Sequence, residues 1–256
     1  TAAADETGIE TLAMARYIYE SGIDFDFVDD QKISESTASG ELLQIAGVEF
    51  RVVLLPPMTT IRTDTLERLK AFYEGGGTVV AFRRLPGGSA EQGRDDPRIR
   101  ALLQDIFGVA SSAEYVHTSE KNRQAAGSVQ VHKNDKGGQG IFVPEHEVHR
   151  TVWYDPVMER SGSSVPVVIS AAIERDVLSS GRDIFHTHQK VGELEVYFLY
   201  NVRAEKRKLE FQLRVEGEPD IWDAASGRIV PHYRYESGQG TTRVQLEMER
   251  NQGVLL

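Results

Sequence analysis

Apolar residues recur at helical spacing in the first twenty positions: Ile9, Leu12, Ala13 and Tyr17 share a face, and Gly22 stands where such a helix ends. The period then changes. Ile23-Asp24-Phe25-Asp26-Phe27-Val28 alternates apolar with acidic and predicts a strand with one buried face. Phe50 to Leu55 is almost continuously apolar, as expected of a strand covered on both sides, and Pro56-Pro57 stops it. A helix is predicted over 64–75, with Asp64 and Glu67 at capping-box spacing, Leu66, Leu69 and Phe72 as its apolar stripe, and Gly75-Gly76-Gly77 at its end. Thr78 to Phe82 reads as a third short, buried strand. Pro97 opens a further helix that reaches Phe107 before Gly108. Strands alternating with helices predict right-handed crossovers and an α/β layer with a mainly parallel sheet, in which 23–28, 50–55 and 78–82 lie side by side. Because the series opens on a helix, a strand ahead of Thr1 is expected to belong to the same sheet.

The middle of the chain carries weaker signals. Ser119 to Gly140 is polar and Gly-rich, which predicts loops around one strand at 128–132, and Val152–Arg160 and Ala171–Leu178 read as short helices. From Asp183 onward the pattern is β. Segments 193–200, 208–215 and 242–248 alternate, with turn signals at Glu216-Gly217, Ser226-Gly227 and Ser237-Gly238. Short strands at this spacing predict an antiparallel β-sandwich. The expected division is therefore an α/β module over 1–170 and a β-sandwich module over 171–256.

Composition narrows the function. A hydrophobic fraction of 40% is enough for packed cores. Lys and Arg total 29 against 39 for Asp and Glu, a net charge of −10, which argues against a nucleic-acid partner because phosphate contacts need a basic surface. There is no cysteine, so disulfides, thiolate metal sites and a Cys nucleophile are all excluded. The longest apolar runs are strand-length, so no membrane-spanning helix is expected.

Four groups of residues could carry chemistry. Asp24, Asp26, Asp29 and Asp30 form the densest carboxylate cluster, at the end of a predicted parallel strand where α/β folds bind ligands; an acid pair or a calcium site is the functional reading, and a strand face running into a loop the structural one. Glu145-His146-Glu147 with His149 lacks the His-Glu-x-x-His spacing of zinc proteases, and His186 and His188 lack a third ligand, so no metal is assigned. Tyr197, Tyr200, Trp222, Tyr233 and Tyr235 have the chemistry to stack on sugar rings, although aromatics on strands more commonly build the core. Gly75 to Gly77 and Gly87-Gly88 do not stand between a strand and the helix after it, which removes a flavin or dinucleotide site.

Several phrases, in order, resemble the multidomain α-L-rhamnosidases: Gly22 to Gln31, Phe50 to Pro56, Thr59 to Arg62, Glu74 to Ala81 and Leu85-Pro86 with Ser89-Ala90-Glu91. Val196 to Asn201 and Ile221-Trp222-Asp223 with Ser226-Gly227 continue the likeness in the β-module. The resemblance implies a flavodoxin-like module, related to glutamine-amidotransferase folds, followed by a β-module. It implies a secreted or periplasmic parent that removes α-L-rhamnose from glycans with two carboxylates on a separate barrel, assisted by calcium. No residue here matches that catalytic motif. The expectation is an ancillary, non-catalytic region with no cofactor of its own, a rhamnose-containing glycan reached through the parent, and the catalytic barrel as partner. Asp24, Asp26, Asp29, Asp30 and Trp222 are the candidate ligand-binding residues. The rival expectation is a free-standing carbohydrate-binding or interaction protein.

Overall fold

The computed structural model describes residues 8, 10–12, 14–16, 18–19, 22–110, 129–144, 165–181, 183–224 and 226–256, without the side chains of 165–167. The chain forms two compact units, one from Thr1–Ala15 and Phe27–Ile173, the other from Arg16–Asp26 and Glu174–Leu256. The described positions between 8 and 19 are helical. Gly22, at φ 70°, closes that helix by donating its N–H to the Tyr19 carbonyl.

From Phe27 the first unit continues with α1 (Asp30–Ser34) and a small antiparallel sheet of β1 (Thr37–Ser39), β2 (Leu42–Ile45) and β3 (Val48–Phe50). Then come β4 (Val52–Leu55), β5 (Thr60–Ile61), α2 (Thr63–Gly75), β6 (Thr78–Phe82), β7 (Gly88–Ser89), β8 (Gly93–Arg94) and α3 (Pro97–Phe107). They are followed by β9 (Gln130–Lys133), β10 (Gln139–Val143) and α4 (Val165–Ala172). The central sheet has the order β4-β6-β10-β9: β4, β6 and β10 are parallel, and β9 pairs antiparallel with β10. Its core is dry. Leu66, Leu69 and Phe72 of α2, Val79 and Ala81 of β6, and Leu103 and Ile106 of α3 are all fully enclosed in one cluster. Enclosing the three α2 side chains contributes about 1.5–3 kcal/mol each.

Three glycines make this packing possible. Gly76, at φ 117°, is the left-handed cap of α2, and a Cβ on Gly77 would sit 2.1 Å from the Phe72 ring. Behind α3 the backbone approach is as close, since a Cβ on Gly140 would meet the Ile106 carbonyl at 1.7 Å.

Several expectations need correction. No strand forms over 23–28: Ile23 is buried and donates its N–H to the Ile18 carbonyl, and residues 24–28 are not in strand conformation. The 64–75 helix starts one residue early, at Thr63, which puts Asp64 inside the first turn, where it pairs with Arg62 at 2.7 Å. The capping box is therefore not made, and Glu67 pairs instead with Arg98 at 2.9 Å. Glu91 supplies the cap, its carboxylate accepting from the Thr63 N–H and hydroxyl at 3.2 and 3.0 Å. The expected helix at 171–178 is displaced: α4 ends at Ala172, and Val177 enters a strand opposite Leu213. Strand β10 lay within and beyond a segment read as loops. Positions 152–160 lie outside the described residues. Among the described residues the chain is sheet-rich, with mixed and antiparallel sheets, so the expected parallel pairing is limited to β4, β6 and β10 and to the short β5–β7 pair.

The second unit is all β beyond its N-terminal segment. It contains β11 (Val177–Ser179), β12 (Ile184–Val191), β13 (Leu194–Asn201), β14 (Arg207–Leu213), β15 (Asp220–Asp223), β16 (Arg228–Pro231), β17 (Tyr235–Gly238), β18 (Thr241–Met248) and β19 (Gly253–Leu255). Two antiparallel sheets, β11-β14-β18-β17 and β12-β13-β19-β15-β16, share one apolar cluster that includes Leu199, Leu209, Phe211, Val244, Leu246 and Val254. Along β18 buried and open positions alternate strictly, the period-2 signature of a sandwich strand. Gln239 and Gly240, both at positive φ, make the two-residue turn from β17 to β18, just past the expected Ser237-Gly238.

Candidate functional site

The register of one hairpin builds the site. Val191 pairs with Leu194 across a Gly192-Glu193 turn, so Lys190, His188 and His186 stand opposite Glu195, Tyr197 and Leu199. Tyr197 and Leu199 are buried, so this is the inner face of the sheet, and it carries charge at one end. The His188 ring stacks on Tyr197 with centroids 4.1 Å apart and planes 7° from parallel. Its Nδ1 lies 3.4 Å from Asp176 and its Nε2 lies 3.0 Å from Glu195. Arg214 donates to Asp176 from Nε at 2.6 Å, and Lys190 reaches Glu195 at 3.1 Å.

These contacts set the protonation states. The hydrogen bond to Asp176, then that to Glu195, raises the His188 pKa above the ordinary imidazole value. The same bond, joined by Arg214, lowers the Asp176 carboxyl. Burial lowers His186, which is 5% exposed, and so favours its neutral form. Crowding by surrounding protein raises Asp24, against the bond it accepts from the His188 backbone N–H at 3.3 Å. Tyr197 is raised well above an ordinary phenol, first by burial and then by Asp176 and Glu195, and its enclosed hydroxyl has no hydrogen-bond partner. With both ring nitrogens committed to carboxylates, His188 is a charged clamp and not a free base.

The sequence-nominated residues scatter. Asp24 and Asp26 belong to the second unit, Asp29 and Asp30 to the first. Asp24 joins the edge of the charged cluster, and Asp26 is exposed. Asp29 accepts from the Lys32 N–H at 2.8 Å as the N-cap of α1, and Asp30 opens that helix. Trp222 is 38% exposed and stands opposite Ile229 and Leu255. Phe198 and Tyr200 stack at 6.5 Å, and Tyr235 packs against the core. His146 and His149, with Glu145 and Glu147, lie outside the described residues. Among the described residues no group of three or more His, Asp or Glu is arranged to hold a metal ion, and no helix is long and apolar enough to cross a membrane.

Sequence reasoning missed Asp176, Glu195 and Arg214. The signal was present: with a two-residue turn at 192–193, Lys190, His188 and Glu195 share the face of buried Leu199, where charge is unexpected.

A sheet-and-helix unit joined to a β-sandwich unit is the architecture of regions within glycoside hydrolases. Three fold similarities carry that comparison. A rhamnosidase from Novosphingobium sp. PP1Y superposes at a TM-score of 0.60 with 17% identity, over 90% of this chain and 19% of that one. A β-galactosidase from Rahnella sp. R3 gives 0.56 at 13% identity, over 95% of this chain and 36% of that one. A β-galactosidase from Bacillus circulans sp. alkalophilus gives 0.55 at 12%, with the same coverage, 95% and 36%. Within that class the family is specific: residues 10–237 match the alpha-L-rhamnosidase model of glycoside hydrolase family 106, and the chain belongs to that family. It is also 22% identical over 255 residues to a Formosa agariphila protein described as "Putative beta-glucuronidase", covering 98% of this chain and 18% of that protein. The chain thus spans about a fifth of the length of its rhamnosidase and Formosa relatives.

Proposed function

We propose that this chain is a non-catalytic, ancillary region of an α-L-rhamnosidase, supporting the catalytic barrel or the contacts between subunits. The observation that carries the reading is the fate of the acids. Two of the four nominated aspartates fall in each unit, Asp29 is spent on a helix cap, and His188 is held between two carboxylates. Glycoside hydrolysis needs two carboxyls about 5–10 Å apart across one bond, and Asp29 is already engaged as a helix cap while Asp176 and Glu195 are engaged by His188. The first unit serves as a flavodoxin-like support and the second as the β-module behind it. The whole protein acts on rhamnose-containing glycans in the periplasm or outside the cell, and any calcium belongs to the barrel.

The test is hydrolysis of an aryl α-L-rhamnoside by the purified chain. No turnover is expected. Steady turnover abolished by Asp26→Asn or Asp29→Asn would overturn the reading.

A further inference from the structure

We propose that the outer face of the β12-β13-β19-β15-β16 sheet is an interface between two copies of this chain. Strand pairing lays one row of side chains across that face: Phe198 stands opposite Leu255, Leu255 opposite Trp222, and Trp222 opposite Ile229. Their chain neighbours Tyr197, Val254 and Ile221 belong to the sandwich core, so the row points outward. Phe198, Trp222 and Ile229 are 41%, 38% and 54% exposed. The Phe198 ring lies down over Gly253, where a Cβ would meet it at 2.6 Å, and this keeps the surface low.

The opposite sheet shows what a solvent face of the same unit looks like. There the exposed positions of β14 and β18 include Lys208, Glu210, Arg243 and Glu247. On the outward positions of the five-stranded sheet the one charged residue is Asp220, in a chain with 27% charged residues. Single exposed apolar residues are normal, and a row contiguous over four strands is not. Charge points to the occupant. Each copy carries a net charge of −10, so two copies repel through their charged surfaces and approach at least cost through a neutral one. A charged partner gains nothing here. A sugar ring needs hydrogen-bonding groups around it, and the row from Phe198 to Ile229 offers only the Trp222 indole N–H. Protein side chains do fit this face: the Tyr19 ring packs on Phe185, which pairs with Tyr200 beside the row, with centroids 3.8 Å apart. A second copy brings a surface that is flat, neutral and of equal width, and a two-fold contact sets the row against itself. Five strands about 4.8 Å apart give a footprint on the order of 500 Å² per copy, about 1,000 Å² in all, the size of a weak, reversible interface.

This inference rests on the subunit-contact part of the proposed function and names the surface that would make the contact. The experiment is sedimentation equilibrium with light scattering on the intact chain up to about 500 μM. A reversible dimer is expected, with a dissociation constant on the order of 10 μM. Added salt should tighten it, because screening weakens the repulsion between two acidic copies. Ile229→Lys and, separately, Phe198→Lys should weaken it about tenfold or more, although each lowers the net charge, whereas Gln245→Lys on the charged sheet should leave it intact. Both Lys variants should keep the parent's unfolding midpoint at concentrations where the parent is monomeric. A monomer at the highest concentration, a dimer untouched by both variants, a dimer dispersed by salt, or a monomer that binds methyl α-L-rhamnoside through Trp222 would overturn the proposal. Aryl rhamnoside hydrolysis is scored separately: turnover would sink the ancillary reading, whereas a monomer without turnover would sink only this interface.

Discussion

In the first unit the layer between helices and sheet is mainly apolar, with Leu69 and Phe72 from one helix and Leu103 and Ile106 from another fully enclosed in one cluster with residues of β6. In the second, an apolar layer of Leu199, Phe211 and Val244 runs out at one end of the sandwich, where His188, Glu195, Asp176 and Arg214 take its place. The two layers draw stability from different physics. The first depends chiefly on area removed from water, and titratable groups such as the Glu91 and Asp96 carboxylates, which cap α2 and α3, sit at its ends. The second adds charge pairs that exist only in particular protonation states. An interrupted layer thus gains charge pairs at the cost of sensitivity to pH.

The largest expected effect tests the first layer. Phe72→Ala removes a fully enclosed ring over Gly77, and urea unfolding followed by circular dichroism should show a loss of about 3–5 kcal/mol. A loss below about 1 kcal/mol would mean that the layer collapses into the gap and is not tightly packed.

Next comes the charged end. His188→Ala leaves Asp176 and Glu195 without their shared partner, and with all three side chains only partly shielded the loss should be about 2–3 kcal/mol. The pH dependence sharpens the contrast. The His188 pKa is raised, so its contribution is complete below the ordinary imidazole value and disappears as pH climbs through the raised one. The Asp176 pKa is lowered, so its contribution stands above the ordinary carboxylate value and disappears as pH falls through the lowered one. His186, lowered by burial, adds to the acid-side loss, because protonation is easier in the unfolded chain. Asp24, raised by crowding, adds instead to the loss on the rising side, above the ordinary carboxylate value. Thermal midpoints across pH should therefore fall on both sides, and His188→Gln should flatten the branch above the imidazole range. An unaltered alkaline branch in that variant would remove His188 from the account.

Smaller effects follow. Glu91→Ala removes the cap that Thr63 receives from 28 residues away, for about 1 kcal/mol by urea unfolding. If the variant matches the parent, another acceptor caps α2. Last is a change of opposite sign: Tyr197→Phe deletes an unpartnered buried hydroxyl and should raise stability by up to about 1 kcal/mol. A clear loss would mean that the hydroxyl is satisfied in solution.

Legibility followed locality. β4, β6, α2 and α3 announce themselves through apolar periods and glycine stops that lie within the elements themselves, and β13, β14 and β18 do so by alternation. Where formation depends on distant chain, the pattern misled. Positions 23–28 alternate as a strand does, yet a strand needs a neighbour, and Asp24 bonds the backbone of His188 with its side chain instead. β10 looked like loop because Gly140 lowers its β character, although that glycine is what lets the strand pass the end of α3. The candidate site was half visible, since His186, His188, Tyr197 and Trp222 stood out by type. Asp176 and Arg214 enter only through tertiary contact, and no spacing rule joins residues 38 positions apart.

The second unit is discontinuous along the chain, its first piece at Arg16–Asp26 and the rest from Glu174. On a ribosome adding roughly 5–20 residues each second, the early piece waits on the order of ten to thirty seconds for its partners. The first unit's contiguous stretch from Phe27 emerges complete in that interval and can fold before the sandwich exists. A gene cut at Glu174 would deliver nine strands without the segment that carries Ile23 and Asp24. Any attempt to express the sandwich alone therefore has to supply that segment as a second, separately synthesised chain or as a circularly permuted tail.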